Sequence, residues 1–184
     1  MKSTSITKIA VFCGSSAGYD PVFRQACLDL AGSFHAHRIV LVYGGGNIGL
    51  MGILADELLR LGGEVTGVIP KKLVDIEVAH KGLTHLHIVT GMHERKALMA
   101  NLSDAFIVLP GGIGTMEEFF EMYTWLQLGY HSKPLALLNI NGFYNMLIDF
   151  LDHTVQQGFF QRCRFEQLIV DDSPADLVNR IINS

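Results

Sequence analysis

Short apolar runs alternate with longer amphipathic stretches along the whole 184-residue chain. "KIAVFC" (8–13), "IVLVYG" (39–44), "EVTGVIP" (64–70), "HLHIV" (85–89), "AFIVLP" (105–110), "PLALLN" (134–139) and "QLIVDD" (167–172) each read as a strand. Their Val, Ile and Leu residues run almost without polar interruption, the pattern of strands covered on both faces. Between them, helical periodicity predicts helices over 21–37, 48–61, 91–102, 113–128 and 142–157, with one more closing the chain. Asp20-Pro21 is the start signal of the first. Strands and helices in this alternation, joined by right-handed crossovers, predict an α/β fold: a doubly wound, Rossmann-like parallel sheet with helices on both faces. No linker, repeat or low-complexity tract divides the sequence, so residues 1–184 are expected to form a single domain.

In such a sheet ligands bind beyond the carboxyl ends of the strands. Three strand ends run straight into glycine-rich turns, "FCGSSAG" (12–18), "YGGGNIGLMG" (43–52) and "LPGGIGT" (109–115), which should share one rim. Gly44, Gly46 and Gly49 match a GxGxxG dinucleotide fingerprint, but the end of the next strand reads "VIPKK" and lacks the acid that would take a ribose. Tight turns and close packing explain these glycines as well. A third reading is that Gly45 and Gly46 leave room for a nucleotide. Ser15 and Ser16 suit an anion or a base edge, or simply a strand-to-helix turn. Cys13 has no assignable base and does not read as a nucleophile.

"LPGGIGTMEEFF" (109–120) lacks the Gly-Lys-Ser/Thr ending of a Walker A loop. Gly111, Gly112 and Gly114 nonetheless let the backbone turn its N–H groups outward, and Thr115 opens a helix whose dipole favours an anion. Glu118 has two readings. Thr115-x-x-Glu118 is a capping-box spacing, and a carboxylate one turn from a phosphate cradle is also a candidate catalytic group. Glu117 and Glu121, four apart, are expected on a solvated or partner-facing edge. In "GMHERKALM" (91–99), Arg95 and Lys96 sit at the positive end of a helix, against its macrodipole. A bound anion would explain that placement.

Composition narrows the function. The formal charge is −4 with both signs interspersed, which argues against nucleic acid or a membrane surface as partner but leaves small anions open. The apolar runs fall short of the ~20 residues that cross a bilayer, and the start "MKSTSITKIAVF" has no signal-peptide core. Three cysteines without CxxC spacing fit a reducing compartment, so the protein is expected to be cytoplasmic. His85 and His87 alternate on one strand without a third ligand, so no metal is expected. Phe119, Phe120, Tyr123 and Trp125 are expected in the core or at an interface between subunits.

Taken together, "PGGIGTMEE" (110–118), "MHERK" (92–96), "GGGNIGLMG" (44–52), "FCGSS" (12–16) and "TWLQLGYHSKPLALLNINGFY" (124–144) resemble the LONELY GUY family of cytokinin-activating phosphoribohydrolases. The match runs over most of the chain, and the joint order of the motifs is far more specific than any one glycine turn. Asn101 is a departure, since some members carry arginine there. The resemblance implies hydrolysis of an adenosine 5′-monophosphate, N6-modified or plain, to free base and ribose 5-phosphate, with no metal or redox cofactor. It implies Arg95 and Glu118 as the catalytic pair and Gly111, Gly112, Gly114 and Thr115 as the phosphate turn; with the readings above, Ser15, Gly45, Gly46, Met92 and Lys96 complete the expected substrate-binding residues. It also implies a homodimer or larger homo-oligomer. The label lysine decarboxylase, often attached to such chains, would need a pyridoxal-phosphate lysine that no motif here supplies. A nucleotide-binding module without turnover and an NAD-dependent oxidoreductase are the competing classes.

Overall fold

The computed structural model describes residues 6–74, 76 and 78–184. Its strands are β1 (Lys8–Phe12), β2 (Val40–Tyr43), β3 (Val65–Pro70), β4 (His85–Val89), β5 (Ala105–Val108), β6 (Leu135–Leu138) and β7 (Ile169–Asp171). They form one sheet in the order β4-β3-β2-β1-β5-β6-β7, and every pairing is parallel. The helices are α1 (Pro21–His37), α2 (Gly49–Arg60), α3 (Met92–Leu102), α4 (Ile113–Leu128), α5 (Asn145–Gln156), α6 (Arg162–Phe165) and α7 (Pro174–Ile182). The expected doubly wound α/β architecture is therefore the one found.

The alternation of side chains along each strand divides the core into two layers. Ile9 and Val11 of β1 pack with Leu30 and Phe34 of α1, Leu54 and Leu58 of α2, and Leu177 and Ile181 of α7. Ala10 and Phe12 point the other way, to Met99 of α3, Phe119 and Met122 of α4 and Leu151 of α5. Each large side chain fully buried in this way contributes about 1.5–3 kcal/mol. Strand order reverses between β1 and β5: the chain runs outward from β1 to β4, then returns to lay β5 against β1. That reversal opens a crevice at the carboxyl ends of β1 and β5.

Local chemistry sets the element ends. Asp20 caps α1 by accepting the Val22 N–H at 2.9 Å, as the Asp-Pro signal predicts. Helix α5 starts at Asn145, three residues later than its periodicity suggests, because Asn141 and Gly142 hold left-handed backbone (φ 51° and 68°). The turn at Ile140–Gly142, a similar one at Lys71–Leu73 and the four-residue α6 are too short to show a period. Phe119 and Tyr123 lie in the core as expected, while Phe120 is exposed. His85 and His87 are exposed on the edge strand β4. Among the described residues no helix is long and apolar enough to cross a membrane.

Replacing Asp20 by Ala removes the α1 cap without touching the sheet, and is expected to cost about 1 kcal/mol. For a chain of this size that lowers Tm by roughly 2–4 °C. Thermal denaturation checks it; an unchanged Tm would mean that solvent caps the helix equally well.

Candidate active site

The three glycine turns meet at the crevice. Gly14, after β1, donates its N–H to the Pro110 carbonyl after β5 at 3.1 Å, and Leu50 at the start of α2 donates to the Gly14 carbonyl at 3.0 Å. Gly49 adopts left-handed backbone (φ 61°), and a Cβ there would overlap the Ser15 main chain. Gly111 is required for a different reason: Thr115, itself buried, turns its Oγ1 onto the space that a Cβ at 111 would occupy. Tyr144 secures the turn from behind by donating its hydroxyl to the Leu109 carbonyl at 2.6 Å. A cavity of about 280 Å³ opens above, lined by Ser15, Ser16, Leu50, Gly111, Gly112 and the ring of Phe143 among others.

Helix α4 begins at Ile113 with Gly112 as its cap, and among the described residues no side chain bonds to that cap. This corrects the capping-box reading. Thr115 stands at the third helical position, so it cannot head the helix, and Glu118 lies deeper than a box requires. Gly112 and Gly114 face open space, with no atom within 4 Å of where a Cβ would sit. The first-turn N–H groups of α4 are thereby available to an anion in the crevice.

Gly45 and Gly46 are placed differently from the expectation that they make room for a ligand. Both are buried. A Cβ on Gly45 would come within 3.1 Å of Ile69, and Gly46 forms a bridge with Ala79. The segment around His80 covers them, with His80 donating its N–H to the Gly45 carbonyl at 3.0 Å and its ring 2.9 Å from Asp56. At Gly45 packing and a positive φ of 78° require glycine.

Arg95 is buried on the first turn of α3. Its Nε donates to the Val68 carbonyl at 3.1 Å and its Nη2 to the Gly44 carbonyl at 3.0 Å. Both acceptors come from the ends of β3 and β2, so the guanidinium is fixed by the sheet. Gly44 has to be glycine here, because a Cβ would overlap Arg95 Nη2. Neither the Gly44 nor the Val68 carbonyl was legible as a partner of Arg95, since main-chain acceptors leave no trace in the sequence. Exposed Met92 stands one turn before it, with its Sδ 3.8 Å from Nη1. Glu94 closes the start of α3 by accepting the Thr90 N–H and hydroxyl at 2.8 and 2.6 Å, and those bonds hold its carboxyl below the usual range.

Lys96 is also buried, and its ammonium pairs with Glu117 and, at 3.0 Å, with Glu121 of α4. The two glutamates, expected on a solvated or partner-facing edge, thus form a cross-helix ion pair with Lys96, with Glu117 still half exposed. Burial works against the charge on Lys96, but the bonds from Glu117 and Glu121 win and raise its pKa above the ordinary lysine value. The cations that seemed to call for an external anion are met by protein carbonyls and carboxylates.

Glu118, next along α4 from Glu117, is half-buried. Burial above all, then Cys27, then Glu118 push the Cys13 thiol well up, while Arg95 opposes them. Opposite charges from α3 and α4 therefore both bear on the end of β1, and Cys13 stays a neutral thiol, unfit as a nucleophile. A larger cavity, about 430 Å³, lies at the amino-terminal end of β5 and β6 beside Asn101, Trp125, Tyr130 and Lys133. Asn101 is thus at the far end of α3 from the glycine turns.

The sequence pattern of a family described as "Possible lysine decarboxylase" matches residues 51–181. An Arabidopsis thaliana cytokinin riboside 5′-monophosphate phosphoribohydrolase is 42% identical over 98% of this chain and 84% of its own. One from Rhodococcoides fascians is 47% identical over 88% and 82%. Among solved structures, a molybdenum cofactor binding protein from Rippkaea orientalis superposes with a TM-score of 0.72 at 20% identity, covering 98% of both chains. The Moco carrier protein of Chlamydomonas reinhardtii gives 0.71 at 16%, over 97% and 96%. At such identities these two speak for the fold alone.

The residues present do not fit pyridoxal-phosphate chemistry. A Schiff base needs an amine that can lose its proton, whereas Lys96 is kept charged by two carboxylates. Lys133, which burial does depress, donates to the Ala100 carbonyl at the opposite end of the strands from the glycine turns. By the extent and level of its identity to those phosphoribohydrolases, the chain belongs to the LONELY GUY family.

Proposed function

We propose that the chain hydrolyses the N-glycosidic bond of an adenosine 5′-monophosphate, N6-modified or plain, releasing free base and ribose 5-phosphate. One observation carries the reading: a fixed guanidinium, Arg95, and a carboxylate, Glu118, flank the end of β1 beside an uncapped helix start walled by glycines. Simple phosphate retention has no use for that carboxylate. The activity for which the relatives are named supports the same chemistry.

Water is the only co-reactant the reaction needs. The bond between the base nitrogen and the anomeric carbon breaks, its electron pair leaves with the base, and the sugar takes on oxocarbenium character. Glu118 stabilises that positive charge and aligns the attacking water; the hydroxyl ends on the sugar and a proton on the base. Ser15, Gly111, Gly112, Gly114 and Thr115 hold the phosphate, whose binding orients the ribose. Arg95 keeps phosphate and ribose in register and offsets charge on the departing base. Met92 lies at the base end.

Residues 1–184 act in this reading as one nucleotide-binding domain, working in the cytoplasm as a homodimer. The free thiols Cys13, Cys27 and Cys163 support a reducing compartment. Ile113, Phe120 and Leu128 on α4 and Met146 and Phe150 on α5 are exposed, an apolar surface that a second copy would cover.

Glu118→Gln is expected to fold with an unchanged Tm and to lose base release from AMP by on the order of 10²-fold or more in kcat. Chromatography of the free base checks it, and near-normal turnover would sink the assignment. Binding of AMP by wild type with no base released would instead make the chain a nucleotide-binding module. Gly44→Ala should push the guanidinium off its carbonyl and lower kcat on the order of 10²-fold, with circular dichroism unchanged. Light scattering should give twice the 20.3 kDa chain mass. Phe120→Glu combined with Phe150→Glu should return it to the monomer; a wild-type monomer would refute the dimer.

A further inference from the structure

Three charges remain outside the catalytic assignment: Lys96, Glu117 and Glu121. Lys96 follows Arg95 on α3, and Glu117 precedes Glu118 on α4. Adjacent residues on a helix project about 100° apart. One member of each pair can therefore turn to the crevice while its neighbour turns to the other helix. That is the arrangement here. Arg95 reaches the ends of β2 and β3, and Lys96 reaches across to Glu117 and Glu121.

We infer that Lys96 is a positioning residue: its bonds to Glu117 and Glu121 lock α3 against α4 and so fix the spacing between Arg95 and Glu118. This rests on the hydrolase reading above and gives Lys96, which the sequence placed among the substrate-binding residues, the part of holding the frame. Three features support the change. The side chain of Lys96 is only 5% exposed, against 51% for Glu117 and 22% for Glu121. Two carboxylates already occupy its ammonium. A substrate phosphate brought to that ammonium would also meet both carboxylates, and like charges at contact distance repel.

The lock adds a polar link near the helix starts to the apolar layer that α3 and α4 share. Helix α3 is joined to the sheet through Arg95 itself, and α4 starts on a glycine cap. An ion pair with one long arm and two acceptors spans the gap between them. Its lysine end is buried, so the geometry is held more firmly than in a surface pair.

The test separates holding from binding. The double variant E117Q/E121Q keeps side-chain length and hydrogen-bond acceptors but removes both negative charges. Under the inference its kcat for base release from AMP falls on the order of 10²-fold while KM stays within about twofold of wild type. Lys96→Arg, which can still reach both carboxylates, recovers most of the activity that Lys96→Met loses. Were Lys96 a phosphate ligand, E117Q/E121Q would instead tighten AMP binding and leave kcat intact, which overturns the inference. Hydrogen–deuterium exchange on E117Q/E121Q gives a readout free of activity. Faster exchange confined to 92–98 and 110–121 supports the lock, and exchange equal to wild type in both segments overturns it. That second measurement stands even if wild type releases no base, in which case the hydrolase reading fails by itself.

Discussion

The site depends first on main chain touching main chain. At the switch point the turns after β1, β2 and β5 lie so close that side chains between them would have no space. Gly14 bonds to Pro110, Leu50 bonds to Gly14, and the backbone of Gly49 lies against that of Ser15. Such contact is possible only where Cβ atoms are absent and, at Gly49, where φ can be positive. Once the turns are locked together, the carbonyl ends of β2 and β3 stand at fixed places and Arg95 has no choice of position. The glycines therefore serve the ligand indirectly. Gly14, Gly44, Gly45, Gly49 and Gly111 shape protein against protein, while Gly112 and Gly114 look into open space.

The charged residues obey a second economy. Four of them come as two neighbouring pairs, Arg95-Lys96 and Glu117-Glu118, on two helices that both start at the same rim. The helical offset between neighbours lets each pair split its duties between crevice and frame. Read by helix position alone, two cations at the N-terminus of α3 oppose the macrodipole. In three dimensions they are balanced by strand-end carbonyls and by α4 carboxylates. Neutralising partners drawn from other elements outweigh a dipole term of about 0.3–1 kcal/mol.

How much of this was legible follows from what kind of information each feature carries. The strands, their parallel order and most helix bounds follow from apolar runs and periodicity, because burial on both faces leaves a strong local mark. Asp20 was readable for the same reason: a cap is a local interaction. The convergence of the three turns was also readable, since parallel strands send every carboxyl end to one rim. The partners of Lys96 were not. Glu117 lies 21 positions away, and no spacing rule links residues on separate helices. Nor could the sequence distinguish room from packing at Gly45, where Ile69 and the segment around His80 decide the matter. The short turns at Lys71–Leu73 and Ile140–Gly142 left no period to detect.

The capping-box spacing misled for an instructive reason. Thr115-x-x-Glu118 has the right residues, but the glycines before it let the helix begin earlier, at Ile113. A side-chain cap would have satisfied the first N–H groups and stabilised the helix by about 1 kcal/mol. Leaving those groups to a ligand forgoes that stability in the empty protein. A bound anion would restore it, since anything that binds only the folded form stabilises that form. The same substitution of ligand for cap makes the helix start a selective element, because a phosphate satisfies several N–H groups at once where water satisfies them singly. An uncapped helix start is thus weak evidence alone. Its weight here comes from what surrounds it: glycines that leave it open, a guanidinium fixed by carbonyls, and the Glu118 carboxylate near enough to Cys13 to raise its pKa.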